Sequence, residues 1–320
     1  MPDPVIEQLS LFLSEPLVDS PIQQGVDPIQ CDQASIELTD ETSPHIVPGD
    51  ALATLADADD PVAASAEMIP NSAINAGSGW IEFMFENGRV PMIGDVKKPW
   101  EYSGWLLYYR LLLEEHPQIG KRWDYWWRTK VAGTILDEPI PPIEFCRTND
   151  TRAGLKLFDS WISIVARYHS HWSAVNALLD WFLWGFGLIK QPPVFPVELN
   201  EALYRNVNLG PLLLQPFDYI GTWICDRKGA WNPHAFFPTP HEVVELMVQF
   251  TLSNDTRRDL RGAKVLDPAV GTGRMLMHAS NYSLRLYGID IDATMVKSTL
   301  VNGALYAPWI CRAFPDSFFS

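Results

Sequence analysis

One stretch decides the fold of this chain, and it begins Lys264-Val-Leu-Asp-Pro-Ala-Val-Gly-Thr-Gly-Arg274. The apolar pair Val265-Leu266 predicts a short strand, which Asp267-Pro268 ends because proline cannot donate to a strand ladder. Gly271 and Gly273 permit a tight turn with close backbone approach. A helix is predicted directly after the second glycine, so the stretch reads as strand, glycine turn and helix.

A second strand is predicted over residues 284–289, and it ends in Asp290. In a β-α-β unit, an acid at this place can hold the hydroxyl pair of a ribose. A dinucleotide fingerprint would need a third glycine near Leu276, and a P-loop would need a lysine followed by Ser or Thr. Neither is present. The pattern therefore predicts a nucleotide-type site with little to hold a pyrophosphate.

A second motif precedes the first strand and reads Phe236-Phe-Pro-Thr-Pro-His-Glu242. Thr239 with Glu242 three residues later is a capping box, and Pro240 would occupy the first helical position. The sequence therefore predicts a helix that begins at Pro240. Its predicted buried face is Val243, Val244, Met247 and Val248. In the same way, Asp292 is predicted to cap a helix that begins at Ala293.

The Asp-Pro-Ala-x-Gly-x-Gly loop resembles the S-adenosyl-L-methionine (SAM) loop of DNA adenine-specific methyltransferases, above all the modification subunits of type I restriction systems. The aromatic-x-Thr-Pro element and the Gly-Ile-Asp-Ile-Asp run resemble the same family, over about residues 230–308, although Pro238 is an insertion in the family pattern. The resemblance implies an α/β fold, the start of a class I SAM-dependent methyltransferase (Rossmann-like) sheet. It also implies SAM as cofactor, DNA as partner and a site formed by Phe237, Thr239, Pro240, Asp267, Ala269, Gly271, Gly273, Asp290 and Ile291.

The resemblance does not supply catalytic residues. The family places an Asn/Asp-Pro-Pro-aromatic motif on a later strand, where it binds the amine of the flipped adenine, and this sequence contains no such tetrapeptide. Asn232-Pro-His234 lacks the second proline, and Gln191-Pro-Pro-Val-Phe195 begins with Gln rather than Asn or Asp. Partial matches to so short a motif also arise by chance, so neither segment is a good candidate. We therefore expect a truncated sheet, no catalytic residue and no activity of the chain alone.

Three functional hypotheses follow from the missing motif. The chain is the SAM-binding portion of a restriction-modification adenine methyltransferase, and its partner is a second chain that supplies the rest of the domain or a specificity subunit. Alternatively, it is a non-catalytic binding or regulatory protein with a vestigial SAM-type unit. In the third hypothesis it methylates another substrate through an unrecognised site.

The formal charge of -15 is unevenly distributed along the 320 residues. Residues 1–88 contain sixteen of the 39 acidic residues and neither Lys nor Arg, so the rest of the chain is nearly neutral. DNA binding is thereby permitted rather than indicated. Residues 1–78 lack hydrophobic periodicity and are predicted to be a disordered acidic tail.

Residues 79–225 are predicted to form a Trp-rich, mainly helical domain, followed by the cofactor-binding domain at 226–320. A helix is expected over 105–115 and a long helical region over about 154–190, the latter with Leu157, Trp161, Ile164, Val165 and Tyr168 on one stripe. Lys121–Lys130 interleaves basic and aromatic residues, which suits nucleic-acid stacking. Three tryptophans at helical spacing favour a core helix there, with Arg and Lys reaching towards water.

The cysteines and the hydropathy pattern narrow the class of protein. Cys31, Cys146, Cys225 and Cys311 are far apart, which favours reduced thiols of a cytoplasmic protein over a disulfide framework or a metal site. His169 and His171 diverge on a helix and cannot share a metal ion. The most apolar window, 175–189, is too short to span a bilayer, so we expect no membrane partner.

Overall fold

A computed structural model describes residues 45–47, 98–146, 151–253 and 259–319. The predicted acidic tail lies outside these ranges except for His45–Val47, which form a short strand. Helices combined with a small sheet containing one parallel pair agree with the α/β expectation.

The described chain contains eleven α-helices. Their bounds are α1 Trp105–Leu113, α2 Arg122–Ala132, α3 Arg152–Val165, α4 His171–Gly185, α5 Val197–Asn206, α6 Gly210–Leu214, α7 Tyr219–Cys225, α8 His241–Val248, α9 Arg274–Ala279, α10 Ala293–Tyr306 and α11 Pro308–Cys311. A π-helical turn, Gln249–Ser253, extends α8, and 3-10 turns lie at Pro99–Glu101, Gly229–Trp231 and Asp316–Phe319.

The sheet has the order β1-β3-β2, with β1 at His45–Val47, β2 at Lys264–Asp267 and β3 at Arg285–Asp290. Strands β2 and β3 are parallel, with Lys264 opposite Arg285 and Asp267 opposite Gly288, whereas β1 runs antiparallel to β3. The β2-α9-β3 unit confirms the predicted strand, turn, helix and strand to within one residue. In the described chain β2 is an edge strand, and no further strand pairs with its outer side.

The Trp-rich helix α2 is a core helix. Trp123, Trp126 and Trp127 are 1%, 4% and 7% exposed, which confirms the packing interpretation of their spacing. The expectation that the basic residues reach water is wrong for Arg122. Its guanidinium is buried, donates to the carbonyl of Ser280 at 2.7 Å and lies 4.4 Å from the centre of the Trp309 ring.

The long helical region predicted over 154–190 consists of two helices, α3 and α4, that pack against each other. The chain leaves α3 after Val165 and turns at Ser170, which has extended dihedral angles. Tyr168 therefore falls in the connection and is 50% exposed rather than part of the buried stripe. The break contains neither Gly nor Pro, the usual signals for a helix end.

The predicted start and buried face of α8 need correction. Pro240 precedes the first turn, and the helix has no side-chain cap hydrogen bond, so the Thr239–Glu242 capping box does not form. Val244 and Val248 are buried, but Val243 and Met247 are 45% and 46% exposed. The buried stripe is narrower than predicted because the described neighbours of α8 cover only one side of it.

One apolar core extends from the helices before residue 225 into the unit after it. Buried side chains of the helical region also donate hydrogen bonds to backbone carbonyls of α10. Arg110 Nε donates to the carbonyl of Leu305 at 3.0 Å, and Trp123 Nε1 donates to that of Ala304 at 2.9 Å. The domain boundary near 225 stays a prediction, but these contacts join the helical region to the β-α-β unit. In the part of the chain that the structure describes, every helix is too short or too polar to cross a bilayer.

Candidate functional site

The glycine loop joins β2 to α9 and is held by backbone hydrogen bonds. Gly271 and Gly273 have φ angles of 55° and 83°, a left-handed conformation that glycine adopts without strain. Val270 N–H donates to the carbonyl of Ile289 at 2.9 Å, so the loop crosses the end of β3. Gly288 makes this approach possible, since a Cβ there would lie 2.7 Å from Cγ2 of Val270.

Asp290 ties the glycine loop to the strand that follows it. Its Oδ2 accepts the backbone N–H of Gly271 at 2.8 Å, and its Oδ1 accepts that of Asp292 at 2.9 Å. Each carboxylate oxygen has a second lone pair, so both remain able to accept from a ligand hydroxyl. Asp292 in turn accepts from Thr294 N–H at 2.8 Å and caps α10, as the sequence predicted.

Helix α10 supports the other side of the loop with two buried polar side chains. Thr299 Oγ1 donates to the carbonyl of Gly271 at 2.9 Å, and Asn302 Nδ2 donates to that of Thr272 at 2.8 Å. Both carbonyls would otherwise be unpaired in a buried turn. The loop conformation is therefore fixed by α10 as well as by its glycines.

The segment before α8 folds back onto the loop through Phe236. Its Cε2 lies only 2.8 Å from the place a Cβ on Gly271 would occupy, so the glycine makes room for the ring. Asn232 holds this turn: its Oδ1 accepts Phe236 N–H at 2.7 Å, and its Nδ2 donates to the Phe236 carbonyl at 3.0 Å. Phe237, the aromatic residue predicted to touch the cofactor, is 81% exposed.

Some of the predicted site residues take part in hydrogen bonds at the loop, and others are exposed to solvent. Gly271, Gly273 and Asp290 are joined through the loop, and Asp267 accepts Ala269 N–H at 3.1 Å at the end of β2. Thr239 reaches the loop through its carbonyl, which accepts from Arg274 Nη1 at 2.8 Å. The exposed residues of the predicted set are Phe237, Thr239, Pro240, Ala269 and Ile291.

The charges around the loop are mainly negative. Burial raises the pKa of Asp267, and the nearby Asp290 carboxylate adds to that effect. Asp292 lies on the same side, with Nε2 of His234 at 3.5 Å from its Oδ2. The arginine that follows the loop, Arg274, is 7% exposed and bonds inward, to Asp218 and Thr239, rather than towards a ligand.

Sequence reasoning missed the side chains that hold the loop from outside it. They are Asp218, Asn232, Phe236, Thr272, Arg274, Thr299 and Asn302. Asn232-Pro233 is a turn signal that could have identified the Phe236 turn. The other contacts join residues far apart in sequence, and local patterns carry no signal for them.

Comparison with known proteins supports a methyltransferase. The N-6 DNA Methylase family model matches residues 231–306. The chain is also 29% identical over 143 residues to the tRNA (guanine(10)-N2)-dimethyltransferase of Pyrococcus abyssi (strain GE5 / Orsay), a match that covers 41% of this chain. The match spans 39% of the length of that relative. No solved structure matches the chain.

Proposed function

We propose that this chain is the SAM-binding portion of a DNA adenine methyltransferase of a restriction-modification system, similar to a type I modification subunit. The observation that carries the proposal is the contact between the glycine loop and the acid on the next strand, Gly271 with Asp290. It lies inside residues 231–306, the segment that matches the N-6 DNA Methylase model.

The donor set at the loop fits SAM better than a phosphate ligand. SAM carries a cationic sulfonium and an ammonium group, and both are favoured near the carboxylates of Asp267, Asp290 and Asp292. Asp290 retains acceptor capacity for ribose hydroxyls. The exposed Phe237 and Ile291 offer apolar surface that could cover an adenine ring. When bound, SAM would supply the methyl group, and these residues would hold and orient it.

The chain alone is proposed to be inactive. It lacks the Asn/Asp-Pro-Pro-aromatic motif, and the side chain of Asn232 is already bonded at both ends to Phe236. A second chain that continued the sheet beside β2 would supply the motif and cover exposed apolar side chains such as Val243 and Met247. A specificity subunit would supply recognition of the DNA sequence.

Methyl transfer from labelled SAM tests the proposed substrate. The purified chain, alone and with candidate partner chains from the same source, is incubated with unmethylated DNA and with an unmodified tRNA transcript. We expect no label on either acceptor with the chain alone and label on DNA adenine with a completing partner. Label on DNA from the chain alone would contradict the proposed incompleteness.

Two alternatives predict other outcomes. The archaeal relative is named as a tRNA (guanine(10)-N2)-dimethyltransferase, so an RNA guanine amino group is a second candidate acceptor, and label on tRNA alone would favour it. In the other alternative, the chain is a non-catalytic binding or regulatory protein. A folded chain that binds no SAM and gives no label with any partner would favour that one.

A further inference from the structure

The helical region contributes a buried carboxylate to the support of the glycine loop. Asp218 precedes α7 and is 0% exposed, yet five polar hydrogens are directed at its two oxygens. A carboxylate so far from water is destabilising unless each oxygen is well bonded and its charge is compensated. Asp218 meets both conditions. Most of the groups that donate to it, from Thr272, Arg274 and Asn302, belong to the cofactor-binding unit.

The Oδ2 atom of Asp218 binds the loop itself. It accepts Thr272 Oγ1–H at 2.6 Å and the guanidinium of Arg274 at 2.9 Å from Nη2 and 3.1 Å from Nε. Thr272 lies between the two loop glycines, and Arg274 is the first residue of α9. The carboxylate therefore fixes both the middle of the loop and the start of the helix after it.

The Oδ1 atom of Asp218 binds two helices. It accepts Gly221 N–H in α7 at 2.9 Å and Asn302 Nδ2–H in α10 at 3.0 Å. Gly221 has no space for a side chain, because a Cβ there would lie 2.1 Å from Asp218 Oδ2 and 2.5 Å from Thr272 Oγ1. The close approach of α7 to the loop thus depends on a glycine in the helical region.

From this arrangement we infer that Asp218 is a positioning residue, which sets the glycine loop in its ligand-binding conformation through Thr272 and Arg274. Asp218 also keeps the Arg274 guanidinium turned inward, so that the mouth of the loop retains the negative character that suits a cationic ligand. The helical region is then a component of the cofactor site rather than a separate unit beside it. The effect on cofactor binding rests on the proposed function, whereas the effect on loop order does not.

Asp218→Asn tests the inference because it keeps the size of the side chain and removes its charge. The matched control is Glu114→Gln, at a second buried carboxylate that accepts Trp123 N–H at 3.0 Å and pairs with Arg110 in another part of the core. Two quantities are measured on the full chain: the Kd for SAM by calorimetry and hydrogen exchange of the amides of residues 270–274. General destabilisation would alter both variants alike, whereas a positioning role alters the loop only in Asp218→Asn.

We expect Asp218→Asn to weaken SAM binding by about tenfold or more and to speed loop exchange by a similar factor, since bonds to charged groups are among the stronger ones. Glu114→Gln should change neither. Binding and exchange within about twofold of wild type in Asp218→Asn would overturn the inference. If the wild type itself binds no SAM, the proposed function fails, and the exchange measurement still decides the role of Asp218.

A second variant is available if Asp218→Asn does not fold. Thr272→Val keeps the shape of the side chain and removes only the hydroxyl that donates to Asp218. Asp218 would retain its bonds to Arg274, Gly221 and Asn302. Faster exchange at residues 270–274 in this variant supports the inference, and unchanged exchange there contradicts it.

Discussion

The backbone N–H of Gly271 donates to Oδ2 of Asp290 over 2.8 Å, which joins the glycine loop after one strand to the acid at the end of the next. The two residues are nineteen positions apart, and the parallel pairing of β2 with β3 brings them to the same edge of the sheet. A ligand held by the loop therefore also lies beside this carboxylate. This relationship is the basis of the cofactor proposal.

Gly273→Ala should lower both stability and SAM affinity. An alanine at this position would have to adopt a φ of 83°. Its Cβ would lie 2.9 Å from Cγ2 of Thr299. The strain and the contact together should cost about 2–4 kcal/mol, measured by chemical denaturation. SAM binding should weaken because the loop must move.

Gly104→Ala is the matched control for that variant. Gly104 has nearly the same φ, 80°, but a Cβ there meets no atom within 4 Å. It should cost only the conformational strain, about 1 kcal/mol, and leave SAM affinity unchanged. If the free energy of unfolding fell by the same amount in both variants, backbone strain alone, and not the packing of the loop on Thr299, would explain the effect.

Stability should fall as the pH is lowered from about 6.5 to about 4. His241 Nδ1 lies 2.9 Å from His278 Nε2, and burial, aided by the Arg274 charge, lowers their pKa values to about 3 and about 4. The unfolded chain, whose histidines have pKa values of about 6.5, then binds more protons than the folded chain. The stability present above pH 6.5 is therefore lost as the pH falls, by on the order of 5 kcal/mol for the two histidines together.

Urea denaturation at several pH values measures this loss. His278→Gln removes one titrating group but can keep a hydrogen bond to His241, so its stability should depend less on pH over that range. His169→Gln, at a partly exposed histidine outside the pair, is the control and should behave as wild type. The same slope in His278→Gln and wild type would exclude the buried pair as the cause.

Polar substitutions on the outer face of α8 should leave the protein folded and lower any self-association through this face. Leu246 and Met247 are 52% and 46% exposed, so Leu246→Gln and Met247→Gln remove apolar surface at little cost to the core. Light scattering at increasing protein concentration measures association, and thermal unfolding measures stability. Val244→Gln, on the buried face at 1% exposure, should destabilise by about 2–4 kcal/mol. Unfolding by the two outer substitutions would show that this face is packed.

Local patterns predicted the β-α-β unit well. Asp267-Pro268 ended β2, the glycines preceded α9 at Arg274, and Asp292 capped α10, because each signal acts through residues a few positions apart. The burial of Trp123 also followed from its helical spacing. These elements include most of the backbone of the candidate site.

Tertiary contacts explain what the sequence could not provide. The contact of Asp218 with Thr272 joins residues 54 positions apart, and Phe236 rather than Phe237 meets the loop because Asn232 folds the turn. The break between α3 and α4 lacks a glycine or proline. The exposure of Val243 depends on which elements cover α8, which its periodicity cannot specify.

Calorimetric titration of the purified full chain with SAM tests the central claim most directly. Asp290→Ala is the site variant, and Asp137→Asn, at an exposed acid away from the loop, is the control. We predict saturable binding by wild type and Asp137→Asn, and affinity at least about tenfold lower in Asp290→Ala. A correctly folded wild-type chain that shows no binding, or an Asp290→Ala variant that binds as tightly as wild type, would contradict the assignment of this loop as a SAM site.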